Sequence, residues 1–320
     1  MEKLIGNPDV TFVIQGPLMT GTNDQNTRSL IKAIEQHFVG SPIIFSTWKS
    51  QEMSGFGENT KTVFSDDPGA HIGWRHSVTW NNVNRQIVST VRGLNQVKTP
   101  YAVKLRSDTT IVNNNLISLM KKRPTRSNQT KFDLLEEIVI ASNVTSYNPN
   151  FQIRRIHHPC DWIFAGLTED LKKIWNVPLM PEEWFQWFTD NNQKDASGIH
   201  ADQVCRFDPE EYVWSSFLKK YIDIEFENSF DFSISKLEIS ESLIARNLQM
   251  HPIKSLGMRF SKHADSSRVL PFSYSPYDWR KIAKKNSIHI VQYVDFYSFK
   301  VFLLRLKIRF NMMKTVLKLK

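Results

Sequence analysis

The sequence predicts an α/β fold built on a mostly parallel sheet, and three observations lead to that prediction. Over residues 1–120, short apolar runs typical of strands buried on both faces alternate with amphipathic stretches. Glycine, proline, serine or aspartate follows these runs and ends them. The chain has 320 residues, 41% hydrophobic and 23% charged, which is the composition of a globular protein with a sizeable core.

The predicted elements follow one another along the chain. Strands are predicted at 10–14, 42–45, 62–64 and 101–105, and helices at 26–38, 82–96 and 211–221. The first two helices place apolar residues at helical spacing, so each can cover the sheet with one face. Alternation of strands and helices is typical of parallel sheets with right-handed crossovers.

The basic charge is concentrated at the end of the chain. The 41 Lys and Arg exceed the 32 Asp and Glu, and residues 300–320 hold seven basic residues and no acidic one. A uniformly basic nucleic-acid-binding protein does not show this distribution, so we expect no nucleic-acid partner. The segment is compatible with a last core helix. It is also compatible with a strand, because basic and apolar residues alternate over 305–310. We favour a C-terminal basic amphipathic helix over 297–320 that rests on an anionic membrane surface, with Arg305 and Arg309 snorkelling from its apolar side.

Cysteine usage and hydropathy indicate the compartment. The two cysteines, Cys160 and Cys205, exclude a disulfide framework and a four-thiolate zinc site, and they suit a reducing cytoplasm. The first residues lack the apolar core of a signal peptide, and no stretch approaches 18 uncharged apolar residues. We therefore expect a cytoplasmic protein.

Polar residues follow the predicted strands, where ligands bind in open α/β sheets. They include Gln15, Gly16 and Pro17 after the first strand, Asp66 and Asp67 after the third, and Arg106, Ser107 and Asp108 after the fourth. The sequence shows neither a glycine-rich dinucleotide fingerprint nor a phosphate loop, which argues against NAD enzymes and P-loop NTPases. An aspartate such as Asp108 suits a metal-bridged diphosphate, although turn formers and helix caps also occur at strand ends.

The fourth strand and the helix before it resemble a unit of the nucleotide-sugar glycosyltransferases with the GT-A fold. In those enzymes a helix with an Asn/Arg pair precedes a strand that ends in an Asp-x-Asp metal motif, and here Arg106 stands where the first Asp would be. The resemblance implies a donor pocket of Gln15, Gly16, Pro17, Asp66, Arg85, Arg106 and Asp108. Either Asp108 alone holds a divalent cation, Mg²⁺ or Mn²⁺, or Arg106, Lys104 and Arg85 stabilise the leaving diphosphate without a metal.

A closer resemblance covers most of the chain. The segments 12–17, 45–48, 66–69, 84–90, 104–108, 158–162, 164–171 and 209–212 resemble, in this order, the WavE lipopolysaccharide-synthesis family. The segment after Tyr274 is not covered. The resemblance implies a bacterial glycosyltransferase, peripheral on the cytoplasmic side of the inner membrane. It would move a sugar from a nucleotide sugar to a lipopolysaccharide core, O-antigen or capsule acceptor, either lipid-linked or on the lipid A core.

A transferase also needs a carboxylate that accepts the proton of the attacking hydroxyl. Asp161, at the edge of an apolar run, and Glu210, which matches the family's Pro-Glu motif, are nearly equal candidates, and Asp202 ranks behind them. Asp161 is also consistent with a cap on a buried strand. We expect one of Glu210 and Glu211 to be an ordinary stabiliser of the helix N-terminus.

Histidines offer a second kind of metal site. His157 and His158 lie beside Cys160, but no second cluster in the sequence has ligand spacing, so we predict a structural loop. His251 is a candidate for a late metal contact, as a histidine is in some GT-A enzymes.

Two other functions remain open at this point. A nucleotidyltransferase uses a related sheet, but the glycine-rich, arginine-containing loop of that class is missing after the first strand. A non-catalytic membrane-peripheral assembly protein on a degenerate transferase fold is compatible with the missing first Asp. We predict a GT-A-like domain over 1–255, with a donor half at 1–125 and an acceptor half at 126–255, and a C-terminal extension over 256–320.

Overall fold

The computed structural model describes residues 4–21, 26–51, 56–57, 59–75, 80–151, 153–191, 202–260, 270–290 and 296–318. The strands are β1 (Val10–Gln15), β2 (Ile43–Trp48), β3 (Thr60–Ser65), β4 (His71–Ile72), β5 (Trp80–Asn81), β6 (Tyr101–Arg106), β7 (Thr109–Ile111), β8 (Thr125–Arg126), β9 (Val139–Ser142), β10 (Ile163–Leu167), β11 (Leu248–His251), β12 (Met258–Phe260) and β13 (Ile288–His289). The helices are α1 (Thr27–His37), α2 (Val83–Leu94), α3 (Asn115–Lys121), α4 (Thr168–Trp175), α5 (Trp187–Asp190), α6 (Pro209–Leu218), α7 (Ile234–Asn247), α8 (Pro276–Lys285) and α9 (Phe296–Lys318).

A seven-stranded sheet forms the centre of the molecule, in the order β11-β9-β10-β6-β1-β2-β3. β1 pairs in parallel with β2 and β6, β2 with β3, and β9 with β11, whereas β10 runs antiparallel to β6 and β9. The carboxyl ends of the parallel strands and the amino end of β10 therefore meet at one edge, which we call the carboxyl edge. The opposite edge is the amino edge. The prediction of an α/β fold with a mostly parallel sheet is confirmed, and the architecture is compatible with a GT-A-like fold.

The predicted strands and helices are present, with shifted ends. β2 continues to Trp48 because Ser46 and Thr47 still pair with β3, so these residues belong to the strand and not to the turn after it. α6 begins at Pro209 because the backbone N–H of Asp208 donates to Glu211 Oε2 at 3.2 Å in a capping box. Glu211 is therefore the helix stabiliser that the sequence predicted for one of the two glutamates.

Two apolar layers cover the two faces of the sheet. Successive side chains of a strand point to opposite faces, so Val13 packs with α2, α4 and α6, while Phe12 and Ile14 pack with α1 and α3. Each fully buried apolar side chain contributes roughly 1.5–3 kcal/mol relative to an exposed one. The strand ends at the carboxyl edge are thus held from both sides.

Elements after residue 255 pair with elements before it. β12 pairs with β7, and β13 pairs with β8. α8 packs against α7 and β11, where the buried indole of Trp279 donates to the carbonyl of Leu248 at 2.7 Å. The domain boundary at residue 255 stays a prediction.

The end of the chain is a helix, so the strand interpretation of 305–310 is wrong. α9 buries Val301, and Arg305 points inward, where it donates to Asp278 at 2.9 Å and to the carbonyl of Pro271 at 2.7 Å. Arg305 therefore fastens α9 to α8 and does not snorkel. Large apolar side chains of α9 remain exposed: Phe296, Phe299, Phe302, Leu303, Leu304, Leu306, Phe310, Met312 and Met313. Among the described residues, no helix is long and apolar enough to cross a bilayer.

Candidate functional site

The end of β1 lies in direct contact with the segment after β6. The buried Gln15 accepts a hydrogen bond from Ser89 Oγ at 2.9 Å, and its carbonyl accepts from the Ser107 N–H at 2.9 Å. Gly16 has a φ of 121°, and a Cβ there would lie 2.9 Å from Ser107 Oγ, so only glycine fits this approach without strain. Pro17 is exposed beside them. The backbone at this point is compact enough for a ligand to lie directly on it.

A pair of one arginine and one aspartate lies just beyond the end of β3. Arg85, in the first turn of α2, donates to both carboxylate oxygens of Asp67, at 2.7 and 2.6 Å. The hydrogen bond from Arg85 lowers the pKa of Asp67 below its ordinary value. Asp66 is 86% exposed and pairs with Lys49 at 3.0 Å. The structure thus places Asp67 beside Arg85, and the sequence signal for it was the Asp-Asp pair itself.

Arg106 and Asp108 form a two-bonded ion pair at the end of β6. Arg106 donates through Nε and Nη2 to the two oxygens of Asp108, at 2.9 and 2.7 Å, and its guanidinium lies 5.1 Å from the ring centroid of Trp162. Burial alone would lower the pKa of Arg106, but the charges of Asp108, Asp161 and Glu210 raise it. Arg106 therefore stays a cation in contact with the Asp108 carboxylate and the Trp162 indole.

Lys104 lies deeper in β6 and does not reach a ligand. Its side chain is fully buried, with Nζ 4.3 Å from the ring centroid of Trp175 and donating to the carbonyl of Asp161. Burial lowers the pKa of Lys104 to about 8, although the charge of Asp161 opposes that shift. The expectation that Lys104 contacts a diphosphate is therefore wrong, because both faces of the strand are covered.

Asp161 is a buried carboxylate that lacks hydrogen bonds. It precedes β10 at the carboxyl edge and is 2% exposed. Neither of its carboxylate oxygens accepts a hydrogen bond from any residue that the structure describes. Since an unsatisfied buried carboxylate destabilises a fold, such a group needs an explanation beyond strand capping.

Glu210 lies next to Asp161, in the first turn of α6. It is partly exposed, and Thr145 Oγ1 donates to its Oε1 at 3.3 Å. Burial and the charge of Asp161 raise the pKa of Glu210 to about 7, with His158 opposing the shift. Glu210 and Asp161 both act on the pKa values of Lys104 and Arg106. The structure therefore brings together the carboxylates that the sequence ranked first.

A buried network of charged residues adjoins Asp161 and Glu210. Arg155 donates to Asp208 at 2.8 Å and to Glu211 at 2.9 Å, and His158 Nε2 lies 3.6 Å from Asp208 Oδ2. Burial would lower the pKa of His158, but Asp208, Glu210 and Glu211 raise it to about 9. His158 is therefore charged at neutral pH. Arg155 and Asp208 are not among the residues that the sequence predicted for the site; the Asp-Pro-x-Glu helix start was the available signal for Asp208.

Comparison with known proteins gives one family match. A family model described as WavE lipopolysaccharide synthesis matches residues 10–316. The chain belongs to the WavE lipopolysaccharide synthesis family. The match continues past Tyr274, where the resemblance of the motifs ended, so α8 and most of α9 lie inside the matched region of the WavE family. No curated protein matches the chain.

In this WavE chain, the surroundings of Asp108 do not suit the metal of an Asp-x-Asp motif. Both oxygens of Asp108 accept hydrogen bonds from Arg106, which itself occupies the position of the first Asp. A divalent cation binds oxygen ligands. At this position the cation would have to displace the guanidinium of Arg106 from the carboxylate of Asp108, the one carboxylate that remains of the motif. The metal prediction for Asp108 stays a prediction, and the ion pair favours the alternative with arginines on the diphosphate.

A second group could hold a metal ion. His158, Asp208 and Glu211 each offer one ligand atom, and these atoms lie within 4.8 Å of one another. Arg155 hydrogen-bonds both carboxylates, and the raised pKa of His158 keeps a proton on its imidazole. A metal ion at this group would therefore compete with a guanidinium and a proton.

The lower-ranked candidates have other surroundings. The carbonyl of Asp202 accepts from the N–H of Arg75 at 2.8 Å. His251 is buried at the end of β11, in register with Ser142 of β9. His157 is buried with a φ of 54°, and burial lowers its pKa to about 3; the structural loop stays a prediction, because His158 beside it belongs to the group that could hold a metal ion.

Proposed function

We propose that this protein is a glycosyltransferase that moves a sugar from a nucleotide-sugar donor to a lipopolysaccharide core, O-antigen or capsule acceptor. The observation that carries the proposal is the buried Asp161 carboxylate, unsatisfied within the described part of the chain and next to Glu210 with its raised pKa. Sugar hydroxyls are donors of the kind that two empty carboxylate oxygens accept. Membership of the WavE lipopolysaccharide synthesis family supports the choice of acceptor.

The donor lies along the carboxyl edge in this proposal. Gln15, Gly16 and Pro17 form the floor of its nucleotide pocket, with Asp66 at the rim. Arg85 and Arg106 face the diphosphate, each already oriented by an aspartate through two hydrogen bonds. Paired guanidinium groups of this kind bind phosphate oxygens with two parallel hydrogen bonds. Asp108 orients Arg106 for that contact.

The reaction uses Glu210 as the base and Asp161 as the sugar ligand. The acceptor hydroxyl oxygen attacks the anomeric carbon of the donor sugar, and its proton passes to Glu210. The bond from the anomeric carbon to the diphosphate oxygen breaks, and the electron pair leaves with the diphosphate. Arg106 and Arg85 stabilise the negative charge that develops there. A base with a pKa near the working pH combines adequate proton affinity with a deprotonated starting form.

The membrane is the partner of α9 in this proposal. Phe299, Phe302, Leu303, Leu306 and Phe310 recur at helical spacing on one exposed stripe, opposite the buried Val301. Lys300 and Lys307 border that stripe, and residues 300–320 contain no acid. A second copy of α9 would bring like charges together, whereas an anionic bilayer neutralises them. We infer that α9 lies on the cytoplasmic surface of the inner membrane.

Transfer and hydrolysis from a panel of nucleotide sugars test the enzymatic proposal. We expect the intact protein to release nucleoside diphosphate from at least one donor, and Glu210→Gln and Asp161→Asn to suppress the release. Glu169→Gln is the matched control, because Glu169 occupies the same second position in the first turn of α4. Synthesis of a nucleotide sugar from sugar phosphate and a nucleoside triphosphate would instead establish the nucleotidyltransferase. No turnover on any donor or acceptor would favour the assembly protein.

Flotation with vesicles tests the membrane proposal. Removal of residues 306–320 keeps Val301 and Arg305, and it deletes Leu306 and Phe310 of the exposed stripe together with five of the seven basic residues. We expect the shortened protein to lose binding to anionic vesicles and to keep activity on a soluble acceptor analogue. Salt should weaken binding of the intact protein, because surface charges are screened. Equal binding by both proteins would contradict the role of α9.

A further inference from the structure

A basic groove lies on α8, outside the candidate active site. Tyr277, Arg280, Lys281 and Lys284 repeat at helical spacing on one face of α8 and, with Ile288, His289 and Ile290, line a cavity of about 690 Å³. None of these lining residues is acidic. Lys281 and Lys284 are exposed, so their ammonium groups can meet a ligand from solvent.

Two acids on α8 and α7 have partners outside the groove. Asp278 points to the other side of α8, where Arg305 and Ser275 hold its carboxylate. Glu238 of α7 pairs with Lys285, which does not line the groove. The groove therefore presents positive charge on one continuous face of a helix that is itself anchored by the buried Trp279.

The groove adjoins the exposed helix α9. Tyr277, which lines the groove and is 61% exposed, donates its backbone N–H to Ser298 Oγ in the first turn of α9 at 2.9 Å. Phe296 and Phe299, from that same turn, are exposed apolar residues. A bilayer that accepts these aromatic side chains has its headgroup layer beside the groove, because amphipathic helices lie at the boundary of headgroups and acyl chains.

We propose that the α8 groove binds the phosphate group of a lipid headgroup, and a phosphomonoester in preference to a phosphodiester. A phosphomonoester carries up to two negative charges, which match the two ammonium groups of Lys281 and Lys284. The proposal rests on the membrane contact of α9. It adds a discrete binding site for one headgroup to the general attraction of a basic helix for an anionic surface.

Vesicle binding with matched surface charge tests this site. Vesicles of phosphatidylcholine with phosphatidic acid provide the phosphomonoester, and vesicles with phosphatidylglycerol, adjusted to the same zeta potential, provide a phosphodiester. The variants are Lys281→Gln/Lys284→Gln and, as a control of equal charge loss, Lys32→Gln/Lys98→Gln at exposed positions outside the groove. A soluble arm measures the binding of inorganic phosphate by calorimetry.

We expect the intact protein to prefer phosphatidic acid and the groove variant to lose that preference. The affinity for phosphatidic acid should fall roughly 30-fold, since each lysine at an anionic surface contributes about a fivefold factor. The control variant should keep the preference. Equal binding of the intact protein to both vesicles, or equal losses in both variants, would overturn the groove while leaving the membrane proposal intact.

Two further outcomes are decisive. Absence of binding of the intact protein to any anionic vesicle would remove both the membrane proposal and the groove. Saturable binding of inorganic phosphate below about 1 mM, lost in the groove variant and accompanied by equal affinity for both vesicles, would assign the groove to a soluble anion and overturn the lipid source.

Discussion

Two buried clusters of charge lie at opposite edges of the sheet and differ in how their aspartates are satisfied. At the amino edge, Asp133 accepts from Arg246 at 2.5 and 2.8 Å and from the Thr130 N–H at 2.8 Å. At the carboxyl edge, Asp161 accepts nothing through its carboxylate from the residues described. Burial would raise the pKa of Asp133, yet the hydrogen bonds from Arg246 and Thr130 lower it.

The difference separates a structural charge from a functional one. A carboxylate with its full set of donors holds elements together, and the partly buried Asp133 joins α7 to the loop before β9 in this way. A buried carboxylate without donors costs stability, so it is kept where a ligand supplies the donors. The carboxyl edge is therefore the one that we assign to substrate.

The largest effect is expected at Glu210. Glu210→Gln removes the base and should lower kcat/KM by roughly 100- to 10,000-fold. In the intact enzyme, kcat/KM should rise with pH through about 7, the pKa of Glu210, because only the deprotonated carboxylate accepts a proton. Residual activity of the variant should lack that limb of the pH profile. An unchanged profile would exclude Glu210 as the base.

The comparison of the two edges is sharpened by one substitution at each. Asp133→Asn leaves the buried Arg246 without its carboxylate and should lower the free energy of unfolding by roughly 3–5 kcal/mol. Asp161→Asn loses no hydrogen bond of the described structure, so it should change the free energy of unfolding by less than about 1 kcal/mol. Denaturant unfolding measures both. If Asp161→Asn were as destabilising as Asp133→Asn, Asp161 would be a structural residue.

Asp108→Asn tests how the diphosphate is held. The amide cannot keep both charge-assisted hydrogen bonds to Arg106, and each such bond contributes about 1.5–3 kcal/mol. We expect transfer to fall about 10- to 100-fold, by the same factor with a chelator as with added Mg²⁺ or Mn²⁺. Asp223→Asn, which removes an exposed acid outside the proposed site, is the control. A loss seen only with the divalent cation would establish the metal role of Asp108.

The smallest effect concerns His158 and pH. Its pKa is about 9 in the folded protein and about 6.5 when unfolded. The contribution of protonated His158 to the free energy of unfolding is therefore complete below pH 6.5 and is lost as the pH rises through 9. Between pH 7 and 8 the free energy of unfolding should fall by about 1 kcal/mol. His158→Gln should abolish that fall; a fall of equal size in the variant would point to another group.

The sequence carried the fold further than the site. Continuous apolar runs predicted β1 and β6, and their polar ends predicted the carboxyl edge, because both follow from local patterns. Lys104 was misjudged, since its burial under Trp175 depends on α4, which lies far along the chain. Asp66 and Asp67 are neighbours with equal local signals, and only the position of Arg85 distinguishes them.

The contacts of Arg305 affect how substrates would reach the candidate active site. Through Asp278 and the carbonyl of Pro271 this arginine holds the helix at a fixed angle to the catalytic body. A helix of 23 residues is about 35 Å long, so a protein resting on it has little freedom to roll. On a bilayer, as we propose, the candidate active site would move in a plane at constant height. Lipid-linked acceptors would then meet the site by lateral diffusion within the bilayer, whereas the nucleotide-sugar donor would arrive by diffusion through the solution.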